Sequence, residues 1–210
     1  MAEHRIAVFL FLVVVAASSL AQMLPHQKYY IIYEVKDSEK SPQEIRGEMK
    51  DTEVLYSFKA LGAPSYHIVV EVTSRNLRKL EEVELKGKTK MVPVIDMYDL
   101  AKTFGVTWRY CGEHLSDTNL TLVERTLPLE GLTTQQSRAH LKAFMEEIKD
   151  RFQKYNYRAF YTNGSSPPKM YIYINIPLGE VDDFASKGTN LFGGPGALYT
   201  SVSFLSSFPK

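Results

Sequence analysis

Residues 66–73 read Tyr-His-Ile-Val-Val-Glu-Val-Thr, and residues 170–176 read Met-Tyr-Ile-Tyr-Ile-Asn-Ile. Both stretches are rich in β-branched and aromatic residues and both alternate, so each is expected to be a strand with one face on a core. In the first, Tyr66, Ile68, Val70 and Val72 form the aliphatic set that should meet helices, while His67, Val69 and Glu71 point the other way. In the second, Met170, Ile172, Ile174 and Ile176 form the aliphatic set, and Tyr171, Tyr173 and Asn175 oppose it.

Working outward from these strands, the same order of elements recurs. Ahead of the first lies a strand at Tyr29–Lys36, then Ser41-Pro42-Gln43-Glu44, which has the form of a capping box with proline at the first helical position. The helix behind it is expected to carry Ile45, Met49, Thr52 and Tyr56 on one face and to end near Gly62. After the strand, Ser74 can cap a short helix with Leu77, Leu80 and Val83 or Leu85 inward, and Lys90–Tyr98 closes the half as a strand that Pro93 places at an edge. In the second half, Asn119–Leu127 reads as a strand and Thr133 with Gln136 as another capping box. The helix that follows has the cleanest period in the chain, with Leu141, Phe144, Met145, Ile148, Phe152 and Tyr155 on one stripe. Strands at Tyr157–Thr162 and Met170–Ile176, a short helix around Glu180–Ser186 and a closing strand at Ala197–Leu205 complete it.

The second half is therefore β-α-β-β-α-β, and the first matches it apart from a weak or missing strand near Ala60–Pro64. That is the order of a ferredoxin-like split βαβ unit. Glu34 and Glu124 fall at equivalent places in their first strands, and Glu71 aligns with Asn175. The expected class is α+β, with a first repeat at 22–105, a linker at 106–118 and a second repeat at 119–210. Tandem units with a long first helix and a short second one resemble the dimeric α+β barrel superfamily, which includes muconolactone isomerase-like proteins, small monooxygenases, polyketide cyclases and chlorite dismutase-like haem proteins. The resemblance rests on element order. It implies two sheets packed face to face as an intramolecular α+β barrel.

The ends and the charges bound the setting. Residues 1–5 are polar with a basic residue, 6–17 are apolar, and Ser18-Ser19-Leu20-Ala21 supplies small residues for cleavage. This is the pattern of a signal peptide at 1–21, and it predicts a secreted, extracellular protein with no membrane association after cleavage. Asn119-Leu120-Thr121 and Asn163-Gly164-Ser165 are then sequons that make Asn119 and Asn163 candidate glycan acceptors. With 25 basic and 24 acidic side chains and no basic run, nucleic acid is not an expected partner. The single cysteine, Cys111, excludes an intramolecular disulfide; it is expected to be buried or to link a homodimer, which can otherwise form non-covalently.

Candidate chemistry follows from strand parity. His67 and Glu71, four residues apart on one strand, stand roughly 13 Å apart and cannot hydrogen-bond to each other, but they can flank a ligand. His67 as base or acid with Tyr171 and Tyr173 as hydroxyl donors is a kit for proton transfer, and His140, beside the long helix's apolar stripe, is a further candidate. Glu71, Asn175 and Tyr33 are the candidate ligand contacts. The bland alternative is a polar seam between two sheets, satisfied by hydrogen bonds and water. No Gly-rich phosphate loop, Gly-x-Ser-x-Gly elbow or His-Glu-x-x-His is present, and no histidine pair has metal-ligand spacing. No metal or cofactor is expected; the chlorite dismutase resemblance implies haem through an axial His67 or His140, but nothing in the residues selects it.

Three functions fit. The leading one is a secreted glycoprotein that binds a small aromatic or lipophilic molecule in a barrel pocket, since 13 Tyr and 11 Phe suit an amphipathic lining. The second, from the resemblance, is a cofactor-independent isomerase, cyclase or monooxygenase-type enzyme. The third is an extracellular matrix or mucus component with a tyrosine-rich surface.

Overall fold

The computed structural model describes residues 28–36, 40–50, 52–83, 88–109, 115–129, 131–162, 167–186 and 199–207. The expected signal peptide, Cys111 and Asn163 lie outside the described residues. The fold is α+β: eight strands form a closed antiparallel barrel in the order β1-β3-β2-β8-β5-β7-β6-β4, with helices between them in the chain. Two compact units divide between Ile95 and Asp96, residues 60–62 counting with the second.

The first unit runs β1 (Tyr29–Lys36), α1 (Pro42–Glu48), β2 (Val54–Ala60), β3 (Tyr66–Val72), α2 (Leu77–Glu82) and β4 (Lys88–Asp96). Its strand order is β4-β1-β3-β2, all antiparallel. Ser41 caps α1 as a capping box: its Oγ accepts from the Glu44 N–H at 3.3 Å, and the Glu44 carboxylate accepts from the Ser41 N–H at 2.7 Å. The alternation of β3 has its expected consequence. Tyr66, Ile68 and Val70 pack with Ile31, Tyr33 and Val35 of β1 against Ile45 and Met49 from the first helical segment and Leu80 of α2.

Asn76 and not Ser74 stands at the N-cap of α2, and two larger sequence expectations fail in this unit. The first helix does not reach Tyr56. It ends at Glu48 with Met49 as C-cap, the Thr52 hydroxyl donates to the Met49 carbonyl at 2.6 Å, and Tyr56 lies in β2. Gly47 weakens the helix, Ile45 and Met49 already fill its core face, and Val-Leu-Tyr-Ser-Phe prefers a pleated surface. This is the strand expected weakly near Ala60–Pro64, displaced toward the N-terminus; Gly62, at φ 81°, sits in the turn after it. The second failure is at Tyr98, which is helical. The Asp96 carboxylate accepts from the Tyr98 N–H at 2.7 Å and caps α3 (Met97–Thr103), which buries Met97, Leu100 and Ala101.

The second unit holds α3 and then β5 (Leu120–Thr126), α4 (Thr134–Phe152), β6 (Asn156–Thr162), β7 (Lys169–Asn175), α5 (Leu178–Ser186) and β8 (Tyr199–Ser207). Its strand order is β8-β5-β7-β6. Thr133 and Gln136 form the expected capping box on α4, whose buried stripe is Leu141, Phe144, Met145, Ile148 and Phe152. Phe152 meets Tyr157 and Phe184 edge-on, with ring centroids 4.8 and 5.4 Å apart, and Trp108 lies tilted 5.5 Å from it.

Phe144 is fully buried and its neighbour Lys142 is exposed. Phe144→Ala should therefore lower the unfolding free energy by about 3–5 kcal/mol, and Lys142→Ala should change it by less than about 0.5 kcal/mol. Urea denaturation of the two variants checks this, and comparable losses would show that α4 is not held through its apolar stripe.

Candidate functional site

In the first unit, the sheet face away from the helices carries Tyr30, Ile32 and Glu34 of β1, His67 and Val69 of β3, and Tyr56 and Phe58 of β2. Cross-strand register puts Glu34 directly opposite His67, and His67 directly opposite Phe58. Glu34 and His67 are both buried, at 6 and 8% exposure. Phe58 stacks on Tyr56 with centroids 5.5 Å apart and planes 14° apart.

Burial pushes the His67 imidazole down to about 4. The Glu34 carboxylate pulls it back upward, and the Lys36 charge adds to the lowering. His67 is thus neutral across physiological pH, with one ring N–H donor and one ring nitrogen acceptor. An imidazole that gives up its proton so readily is a poor general base near neutrality, where a useful base titrates close to the working pH. It is well suited to hydrogen-bond a neutral polar group.

The other candidates are distributed as follows. Glu71 lies at the end of β3, where it pairs with Lys28 at 3.0 Å. Tyr33 is on the helix-facing side, fully buried, its hydroxyl donating to the Leu80 carbonyl at 3.4 Å and its pKa raised by burial. Tyr171 and Tyr173 are fully buried on the face of β7 away from the helices. Tyr171 stands opposite Glu124 and Phe160, and Tyr173 meets Phe160 edge-on at 6.1 Å. Asn175 is occupied with its own chain: its Oδ1 accepts from the Ser116 N–H at 3.0 Å and its Nδ2 donates to the Ser116 and Thr118 carbonyls at 2.7 and 3.0 Å. His140 Nδ1 lies 2.9 Å from the Gln136 carbonyl of its own helix, a contact that requires the proton on Nδ1. Asn119 is exposed at φ 53°, next to a buried Thr121. Within the units, then, His67 is brought to Glu34 and Tyr171 to Glu124, each carboxylate on the neighbouring strand; Glu71, Tyr33, Asn175 and His140 join neither arrangement.

The strand-parity reading missed an ion pair in the second unit. Asp96 Oδ2 lies 2.5 Å from Arg158 Nη2, and both side chains are buried. They form the floor of a half-open cleft walled by Tyr98, Trp108, Arg109 and Tyr157, with 10 Å³ open to the centre of a water molecule, about enough to hold one. The Tyr157 hydroxyl donates to the Arg109 carbonyl at 2.9 Å, and Arg109 Nη1 donates to the Gln153 carbonyl at 2.7 Å. Burial raises the Asp96 carboxyl to about 6, outweighing the pull of Arg158 and the Tyr98 N–H. A local signal existed: Arg158 is a lone cation inside the strand Asn-Tyr-Arg-Ala-Phe-Tyr-Thr, and Asp96 precedes a helical apolar pattern. Among the described residues no group of three or more His, Cys, Asp or Glu side chains could hold a metal ion, and no helix is long and apolar enough to cross a membrane.

No protein-family model matches the sequence, and no curated protein matches it. Similarity appears among solved structures. A structure described as a "putative monooxygenase" from Fusobacterium nucleatum is 8% identical, covers 87% of this chain and 93% of its own, and superposes with a TM-score of 0.50. Another of the same description, from Lactobacillus acidophilus, is 11% identical, with coverages of 87 and 94% and a TM-score of 0.48. The chain shares its fold with the first of these.

His67 and Asp96 oppose each other in the acid range. As pH falls from 6.5 toward 4, the unfolded chain protonates its histidine before the folded chain protonates His67, and stability is lost. As pH falls through 6 toward 3.8, folded Asp96 takes its proton first, and stability is gained. Each effect amounts to about 3 kcal/mol when fully developed. Urea unfolding at pH 7, 5.5 and 4 should show a steeper acid loss in Asp96→Asn than in the wild type, and a shallower or reversed one in His67→Gln. Parallel profiles for all three proteins would contradict both assignments.

Proposed function

We propose that this is a secreted binding glycoprotein, built from two ferredoxin-like repeats, that holds a small aromatic or lipophilic molecule. The molecule lies on the sheet face carrying Glu34, His67, Tyr56 and Phe58. One observation carries the reading: a buried imidazole, kept neutral by its surroundings, stands in register between a carboxylate and a stacked aromatic pair. The aromatic rings offer area to an apolar ligand body, and the imidazole adds a neutral polar group beside them.

The repeat assignment is supported by each unit running β-α-β-β-α-β with its first strand between its fourth and third. Secretion rests on residues 1–21, and glycosylation on the two sequons, of which Asn119 is exposed. A proton-transfer enzyme is less well supported, because His67 at about 4 is too weak a base. A tyrosine-rich adhesive surface is also less well supported: among the described residues seven tyrosines, including Tyr33, Tyr171 and Tyr173, are buried.

Titration of the mature chain with N-phenyl-1-naphthylamine, an apolar aromatic with one N–H donor, should give saturable fluorescence enhancement. His67→Ala should weaken binding about tenfold, the equivalent of one hydrogen bond to a buried partner, with an unchanged circular dichroism spectrum. Enhancement no greater than with the urea-unfolded chain, or equal affinity in wild type and variant, would overturn the assignment.

A further inference from the structure

The half-open cleft of the second unit has no part in the proposed binding face, yet groups on its walls have hydrogen-bonding capacity that the fold does not use. Its floor is the Asp96–Arg158 pair. Both oxygens of that carboxylate are engaged, Oδ2 with Arg158 Nη2 at 2.5 Å and Oδ1 with the Tyr98 N–H at 2.7 Å. The walls include Arg109 and Trp108, the only tryptophan of the chain. Trp108 is 6% exposed, and an indole so deeply buried ordinarily gives its N–H to an acceptor. Among the described residues the Trp108 Nε1–H meets none.

Arg109 is exposed but held in place. Its Nη1 donates to the Gln153 carbonyl at 2.7 Å, just beyond α4, and its own carbonyl accepts from the Tyr157 hydroxyl at 2.9 Å. The first bond occupies one of the five N–H donors of a guanidinium, and among the described residues no carboxylate pairs with it. Trp108 is held as well, its ring tilted 5.5 Å from Phe152 and edge-on 6.4 Å from Tyr157. Two neighbouring donor groups are thus positioned beside one opening before a ligand arrives, which lowers the ordering cost of binding.

Charge sets the sign of the ligand. Arg109 and Arg158 bring two positive charges to the lining against the one negative charge of Asp96. Asp99 and Lys102 of α3, which also act on Asp96, oppose each other. The excess is one positive charge and favours a single anionic group. The enclosed space takes about one water molecule, so one oxygen of that group enters and the remainder stays at the mouth. There the half-buried Tyr98 offers an aromatic surface to an organic body.

We propose that this cleft binds the carboxylate of a small organic acid, with the Trp108 Nε1–H donating to the oxygen that enters and the Arg109 guanidinium holding the other. The Asp96–Arg158 pair stays intact beneath it. The site lies within the second unit and shares no residue with the His67 face.

The test is a titration of the full chain with sodium phenylacetate, followed by the proton–nitrogen NMR signal of its single indole N–H. Phenylacetamide, the uncharged isostere, and sodium chloride at matched ionic strength are the controls. Phenylacetate should move the indole proton downfield in a saturable way, and neither control should. Arg109→Gln, at an exposed position, should keep the circular dichroism spectrum and weaken the affinity about tenfold, as expected for loss of a charge-assisted hydrogen bond. His67→Ala should bind phenylacetate as the wild type does, which separates this site from the proposed binding face. No saturable shift beyond chloride, equal affinity for phenylacetamide, undiminished affinity in Arg109→Gln, or loss of binding in His67→Ala overturns the proposal.

Discussion

A strand hands alternate residues to opposite faces, and a sheet with helices on one side must make that side apolar. The placement of the candidate residues on their strands follows from that constraint. Tyr66, Ile68 and Val70 are committed to Ile45, Met49 and Leu80, so the intervening His67 has only the other face to occupy. There the antiparallel register places it against Glu34. In the second unit the same logic sets Tyr171 against Glu124. The helix-facing core supplies the stability; the opposite face is free to hold groups that a core would exclude.

Burial of titratable groups is handled in three ways. His67 sheds its charge, because desolvation outweighs the attraction of Glu34. Asp96 and Arg158 are paired at 2.5 Å, and the carboxylate also caps α3, so that one residue ties a helix start to β6. Among the described residues Arg125 has no carboxylate partner in contact, and a guanidinium does not deprotonate in a protein. A carbonyl, a helix end and an aromatic ring reduce that cost without cancelling it. These three outcomes occur in a fold shared with a structure that is only 8% identical in sequence.

Much of the fold was legible. The capping boxes at Ser41 and Thr133, the stripe from Leu141 to Phe152 and the alternation of β3 and β7 are local patterns with one physical meaning each. Where two local signals competed, the reading failed: residues 49–56 fit a helical spacing as well as a strand, and the end of α1 was decided by a core already filled by Ile45 and Met49. The α3 cap at Asp96 was hidden inside an apparent strand. Of the candidate residues, the faces occupied by His67, Tyr171 and Tyr173 followed from alternation. Tyr33 did not, because its side was set by the register of β1 against β3, and Asn175 was taken up by the backbone of residues 116–118. Asp96 with Arg158 joins residues far apart in the chain. Composition and spacing carry no record of such pairs.

The central claim is that the sheet face bearing His67 holds a neutral imidazole for ligand recognition. Its most direct test is an NMR titration of the His67 ring resonances in the folded protein. A ring that stays neutral down to about pH 4 is the predicted result. A midpoint near the ordinary histidine value of about 6.5 would mean that the face is open to water and that His67 is a surface residue.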